Sequence, residues 1–121
     1  MFEVLSENGG VVKVAIWGRY SPQDGRAVLD LIERVNKSPH PANRYYFDLG
    51  RMTSFDLGYA DVVEQAKRTM RLRFSGRVVF AIYSTSAVTR GFATVFSKLI
   101  DATKLKVVVS DDPGMIEHEL R

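Results

Sequence analysis

The chain has 121 residues, a length that builds one hydrophobic core and is short for two. Its 17 basic and 14 acidic residues leave a formal charge of +3, too small an excess to call for a nucleic-acid partner. The absence of cysteine excludes disulfides, thiolate zinc sites and a thiol nucleophile, and leaves His40 and His118 as the only nitrogen ligands. No apolar run approaches the roughly 20 residues of a membrane span, and the N-terminus does not resemble a secretion signal. We therefore expect one cytoplasmic domain over residues 1–121.

The first forty residues predict a hairpin followed by a helix. Apolar runs at Phe2–Leu5 and Val11–Trp17 flank the segment Asn8–Gly10, and Asn-Gly favours the tight turn of an antiparallel hairpin. The segment Ser21–Asp24 combines a serine N-cap, a proline at the first helical position and an acidic residue three places after the cap. A helix is predicted from there to about Lys37, before a proline-rich break.

A strand and a second helix follow. Tyr45–Leu49 is short and aromatic, which is typical of a strand, and Gly50 marks its predicted exit. From Leu57 apolar residues recur every three or four positions, so a helix is predicted with Ser54 or Asp56 as its N-cap.

The second half of the chain predicts two more strands and two more helices. Arg77–Tyr83 is β-branched and aromatic, and we expect it to be the middle strand of a largely parallel sheet. Apolar residues at helical spacing from Val88 to Ile100 predict a third helix, Lys104–Val109 predicts the last strand, and Pro113 opens a short final helix. This order predicts an α/β fold with a mixed, mostly parallel sheet of about five strands, opened by a β-hairpin, and about four helices.

The segment Asp48–Ala60 follows a predicted strand and precedes a predicted helix. It resembles the signature of the STAS domain of anti-sigma factor antagonists, which reads Asp-Leu, six variable residues and then Asp-Ser-Ser-Gly. Asp48, Leu49 and Asp56 fall in register with that signature. The element order also matches, and the last segment, Val107–Leu120, resembles the end of SpoIIAA-like proteins. The resemblance covers nearly the whole chain and implies a STAS-like fold.

The segment Asp48–Ala60 differs from the family's regulatory members at the serine that a partner kinase phosphorylates in them. Their second serine corresponds to Gly58 and their first to Leu57, so this position has no hydroxyl to modify. Thr53 and Ser54 could accept a phosphate instead, or could cap the following helix, which is their more ordinary use. The sequence is similar to the divergent SpoIIAA-like branch, related to lipid-binding CRAL-TRIO domains, and this implies a binding pocket rather than a switch.

Two turns are expected at the carboxyl edge of the sheet, where ligands collect in open α/β folds. Hydroxyls and backbone N–H groups after Tyr83 could hold an anion with Arg90 as the counter-charge, and helix capping explains the same serines more simply. The Asp48–Asp56 loop should emerge at the same edge and line any cleft there. The candidate binding loop comprises Asp48, Thr53, Ser54, Asp56, Gly58, Ser84, Thr85, Ser86 and Arg90.

Three other features have simpler structural explanations. Asp48 and Asp56 could act as an acid–base pair, but no histidine or lysine accompanies them, and no nucleophile elbow or phosphate-binding loop occurs. The basic cluster Lys67–Arg77 could dock an acidic partner, but a solvated helix C-terminus explains it without one. Four aromatic side chains could stack on a ligand ring or pack in the core. They are Trp17, Tyr20, Tyr45 and Tyr46.

These features favour a binding or regulatory module over an enzyme. Our first hypothesis is a non-enzymatic STAS-like domain that acts through a protein partner, which includes a homodimer formed through the N-terminal hairpin or an apolar helix face. The alternative is a carrier that holds a small apolar or lipid-like molecule between the sheet and the third helix, with Phe92 and Phe96 as pocket walls. Neither hypothesis calls for a cofactor or a metal.

Overall fold

The computed structural model describes residues 1–121 as one sheet and four helices. The strands are β1 (Phe2–Asn8), β2 (Val11–Tyr20), β3 (Arg44–Phe55), β4 (Val78–Tyr83) and β5 (Leu105–Ser110). The helices are α1 (Pro22–Asn36), α2 (Tyr59–Arg71), α3 (Ala87–Lys98) and α4 (Pro113–Glu119). The predicted α/β class, with five strands and four helices, is confirmed. None of the helices combines the length and the apolar character needed to span a membrane.

β1 and β2 form the predicted antiparallel hairpin. Gly9 and Gly10 connect them, and both have positive φ angles, of 61° and 79°. Two-residue turns that match the twist of the flanking strands require this conformation, which glycine adopts without a steric cost. The Asn-Gly signal in the sequence therefore located the turn correctly.

The strands lie side by side in the order in which they occur in the chain, and every pair after the first is parallel. Crossovers between parallel strands are almost always right-handed, so a sheet that grows in one direction places its connecting helices on one face. Residues of α1, α2 and α3 accordingly share one core with the sheet, on what we call the helical face, whereas α4 packs in a separate cluster. The middle strand is β3, so the prediction that Arg77–Tyr83 takes the central position is wrong.

The main core lies between the sheet and the helical face and contains 20 buried residues. Its centre is aromatic. The rings of Tyr45 and Phe47 lie nearly parallel with centroids 6.3 Å apart, and Phe80 meets them edge-on at 5.2 and 5.3 Å. Such pairs add about 0.5–1.5 kcal/mol each beyond the burial of their surfaces. The smaller cluster under α4 consists of Ala81, Val108 and Ile116.

β3 is longer than the sequence indicated. Gly50 was the predicted exit, but the strand continues to Phe55. The reason lies in β2, which also runs on, so that Trp17 pairs with Arg51 and Tyr20 with Phe55. The backbone groups of this part of β3 therefore find their partners in a strand and do not need a turn. We call residues 17–20 together with residues 51–55 the β2–β3 extension.

α2 begins later than predicted and has a different cap. The predicted N-cap was Ser54 or Asp56, whereas the N-cap is Gly58 and the helix begins at Tyr59. Ser54 cannot cap the helix because it lies within β3. The Asp61 carboxylate instead accepts a hydrogen bond from the Gly58 N–H at 2.9 Å.

α1 starts and ends where the sequence predicted. The hydroxyl of the N-cap Ser21 accepts a hydrogen bond from the Asp24 N–H at 3.3 Å, and the Asp24 carboxylate accepts one from the Ser21 N–H at 2.9 Å. This reciprocal pair is a capping box. The Ser21 N–H is the largest cause that holds the pKa of the Asp24 carboxyl below its usual range. The C-cap is Lys37.

Replacing Asp24 with Asn should reduce the acid dependence of stability. Because folding lowers the pKa of Asp24, its stabilising contribution is present above the unfolded pKa of about 4 and is lost as the pH falls through the lower folded value. We expect the unfolding free energy of Asp24→Asn, measured in urea, to fall less steeply with acid than that of the wild type. Equally steep acid limbs for the two proteins would contradict this role.

Candidate functional site

The structure divides the predicted binding loop between two places. Asp48 pairs with Tyr83 of the neighbouring strand, so the turn Ser84–Ser86 begins beside Asp48 at the carboxyl edge of β4. Asp56 follows the far end of the β2–β3 extension, on the order of 25 Å further along the chain at the usual rise of a strand. Most of the segment from Asp48 to Asp56 is thus strand rather than loop.

The two aspartates of the STAS-like signature have separate local partners. Asp48 accepts a hydrogen bond from the Gly50 N–H at 2.9 Å. Asp56 forms an ion pair with Arg19, and its own N–H donates to the Tyr20 carbonyl at 2.9 Å. They are not placed to share a proton, and no group of three or more histidine, aspartate or glutamate side chains is arranged to hold a metal ion.

The polar groups of the turn after β4 cap the N-terminus of α3. The hydroxyl of the N-cap Ser86 accepts a hydrogen bond at 3.3 Å from the N–H three residues on, and the buried Ser84 hydroxyl accepts one from the Ser86 N–H at 3.1 Å. Arg90 donates to the Ser84 carbonyl at 3.0 Å and lies 4.0 Å from the Asp111 carboxylate. Arg90, which the sequence suggested as the counter-charge for a bound anion, therefore already binds groups of the protein itself. Thr85 is exposed.

Thr53 and Ser54 are exposed residues of β3, so the helix-capping role predicted for them is wrong. Gly58, which occupies the place of the family's phosphorylated serine, is the N-cap of α2. Both hydroxyls can be reached from solvent, and phosphorylation at either one stays a prediction.

The four aromatic residues considered as a stacking group do not form one site. Tyr20 and Tyr45 lie in the main core, whereas Tyr46 packs against the cluster under α4 and Trp17 belongs to neither cluster. Burial, with a smaller contribution from the Asp48 carboxylate, raises the pKa of Tyr46 to about 12. This hydroxyl therefore stays protonated at neutral pH.

The basic cluster Lys67–Arg77 does not present a uniform cationic surface. Arg68 lies 3.2 Å from the Glu33 carboxylate of α1 and also pairs with Asp30, so this cation links two helices. Lys67 lies 3.7 Å from a glutamate of its own helix. The simpler explanation, a helix C-terminus solvated and paired with acids, accounts for these two residues.

A partly open cavity of about 100 Å³ lies between the sheet and the helices of the helical face. Of its 17 lining residues, 14 are hydrophobic and none is charged. Phe47 and Phe80 line it from the sheet. Phe92 and Phe96, the residues that the sequence suggested as pocket walls, line it from α3.

The β2–β3 extension covers one end of this cavity. The Phe55 ring stacks on Phe92 with centroids 4.7 Å apart and on Tyr20 at 5.8 Å. Phe55, Phe92 and Phe96 are half-buried, whereas every lining residue of α1 is fully buried. The partly exposed lining residues also include Gln65 of α2 and Ile82 of β4.

The polar end of the cavity is built by Tyr20, Gln65 and Gly25. Gly25 lies inside α1, where a Cβ would overlap the Gln65 Nε2 and would lie 3.5 Å from the Tyr20 Oη. Burial and the nearby carboxylate of Asp24 raise the pKa of the Tyr20 hydroxyl well above its usual range, and the neighbouring Gln65 amide has a smaller effect in the opposite direction. The hydroxyl therefore keeps its proton at neutral pH.

Sequence reasoning missed Gln65, Gly25 and Phe55 as site residues. Gly25 was a signal in the sequence, because a glycine on the apolar face of a helix lowers stability by about 0.5–1 kcal/mol relative to alanine. Such a residue calls for a structural explanation. The reason here is the close approach of the Gln65 amide. Phe55 could not be placed while it was assigned to a loop.

A scan against models of known protein families found no match to this chain, and a search of curated proteins also found none. The resemblance to the STAS domain stays a prediction, which rests on the element order and on Asp48, Leu49 and Asp56.

The stack of Phe55 on Phe92 should be measurable as an energetic coupling. In a double-mutant cycle with Phe55→Ala and Phe92→Ala, we expect a coupling of about 0.5–1.5 kcal/mol in the free energy of urea unfolding. Phe74→Ala provides the control, because Phe74 packs against Phe80, and its effect should add to that of Phe55→Ala within about 0.5 kcal/mol. If the changes in unfolding free energy are additive for Phe55 with Phe92 as well as for Phe55 with Phe74, the extension does not cover the cavity.

Proposed function

We propose that this protein binds a small apolar molecule in the cavity between the sheet and α3. The cavity itself carries the proposal, since it is partly open and its lining is wholly uncharged. Protein interiors pack as densely as organic crystals, and voids larger than a water molecule are few. An apolar cavity of about 150 Å³ takes up benzene.

The weak burial of α3 supports this proposal. Thr89 is its only fully buried residue, whereas α1 buries six residues against the sheet. The free energy needed to open a segment locally falls as its buried apolar contacts become fewer. We infer that α3 is the wall that moves to admit a ligand.

Benzene binding tests the proposal. In an amide-correlation NMR titration, we expect saturable shifts for residues that line the cavity, such as Phe92 and Ala93. Ala93→Phe places a ring in the opening and should abolish those shifts. Ala87→Phe is the matched control, because Ala87 is exposed on the same helix and does not line the cavity.

Two results would contradict this function. One is the absence of saturable shifts in the wild type. The other is equal binding by the Ala93→Phe and Ala87→Phe variants, which would place the benzene outside the cavity.

A STAS-like regulatory role through a protein partner is the second proposal. It is supported by Tyr59 and Val88, which are 64% and 67% exposed in the first turns of α2 and α3. The outer edge of β1 offers less support for pairing, because a register shift between Val4 and Ser6 and an exposed Glu3 are typical of protected edges. A partner would therefore contact the starts of the helices.

Self-association through these helix starts can be measured by light scattering over a dilution series. The regulatory proposal, in its homodimer form, predicts a dimer that Val88→Ser weakens and that Val4→Ser, on the hairpin edge, leaves intact. A monomer at every concentration would exclude the homodimer.

A further inference from the structure

The polar end of the cavity has unused hydrogen-bonding capacity. A tyrosine hydroxyl carries one donor and two acceptor sites, and a glutamine amide carries two donors and an acceptor oxygen. The Gln65 Nε2 and the Tyr20 Oη both lie close to the position that a Gly25 Cβ would take, and a bond between them would use only part of this capacity. Tyr20 is 8% exposed and both side chains line the cavity, so a ligand group could take the remaining positions.

The electrostatics of this end disfavour an anionic ligand group. No lysine, arginine or histidine lines the cavity to balance a negative charge. The Asp24 carboxylate acts on the Tyr20 hydroxyl as a nearby negative charge. An ionised carboxylate taken from water into this site would therefore be buried without a counter-charge, which is unfavourable.

The size and walls of the cavity favour a single ring. Pockets for drug-sized ligands are about 300–1,000 Å³, whereas an engineered cavity of about 150 Å³ lined by apolar side chains holds benzene. This cavity, at about 100 Å³ and open on one side, is in the second class. Its aromatic walls come from the sheet, the extension and α3, and they offer ring faces and edges for stacking. They are Phe47, Phe55, Phe80, Phe92 and Phe96.

We infer that the ligand of this cavity is a neutral monocyclic aromatic compound with one hydrogen-bonding substituent, such as a phenol, whose polar group meets Tyr20 and Gln65. This inference rests on the proposed function and narrows its ligand class. Gly25 is a positioning residue in this account, because its missing side chain leaves the space that the Gln65 amide occupies beside the Tyr20 hydroxyl. Long-chain lipids and fatty acids are excluded from the enclosed part of the cavity by size and by charge.

Three probes of nearly equal ring size test the inference. They are benzene, phenol at a pH where it is neutral, and benzoate. One net hydrogen bond is worth about 0.5–1.5 kcal/mol, so we expect phenol to bind about 2- to 12-fold more tightly than benzene by NMR titration. Benzoate should not produce saturable shifts at the cavity.

Two variants locate the preference. Gln65→Met keeps a long unbranched side chain and removes the amide, and Gly25→Ala forces the amide away from Tyr20. Both should bring the ratio of phenol to benzene affinity close to one. Gly91→Ala is the matched control, since Gly91 is an exposed glycine of α3 with open space around it, and its ratio should equal that of the wild type.

The outcomes separate this inference from the proposed function. Saturable benzene binding without a preference for phenol, or with benzoate bound as tightly as phenol, would overturn the inference and leave the cavity as a binding site. A preference for phenol that survives in Gln65→Met and Gly25→Ala would also overturn it. No binding of benzene or phenol would overturn the proposed function and the inference together.

Discussion

The parallel pairing of β2 with β3 continues beyond the point where β3 leaves β4, and the candidate site depends on this continuation. Only the first five of the twelve residues of β3 pair with β4, while Arg51, Met52, Ser54 and Phe55 pair with β2 alone. A strand with a neighbour on one side only is less constrained in its curvature than an interior strand. The end of the extension thus lies over the helical face, where Phe55 stacks on Phe92, and where Tyr20 and Gln65 both approach Gly25.

The same arrangement explains why the cavity combines apolar walls with a polar end. The aromatic side chains that surround it have few rotatable bonds and already contact one another, so they cannot easily collapse into the space. The polar end exists because α1 has no side chain at Gly25, and the amide of a neighbouring helix enters there. A helix interior normally disfavours glycine, so this feature costs stability and is consistent with a role in binding.

Local signals in the sequence predicted most of the fold and little of the site. The turn at Gly9 and Gly10 and the cap of α1 at Ser21 depend on neighbouring residues, and both were predicted correctly. The extension depends on pairing between segments more than thirty residues apart. Local sequence patterns indicate a loop for the polar stretch after Gly50. Phe92 was named as a pocket wall because helical periodicity placed it on an apolar face, whereas its partner Phe55 depended on the missed strand.

A crystal soaked in bromobenzene would show whether the cavity admits a small apolar molecule. The bromine atom scatters anomalously, so its position can be determined without reference to the protein side chains. We expect one ordered bromine site between α3 and the end of β3, within contact distance of Phe55 and Phe92. An anomalous map with no bromine there, and with the aromatic side chains filling the space, would contradict it.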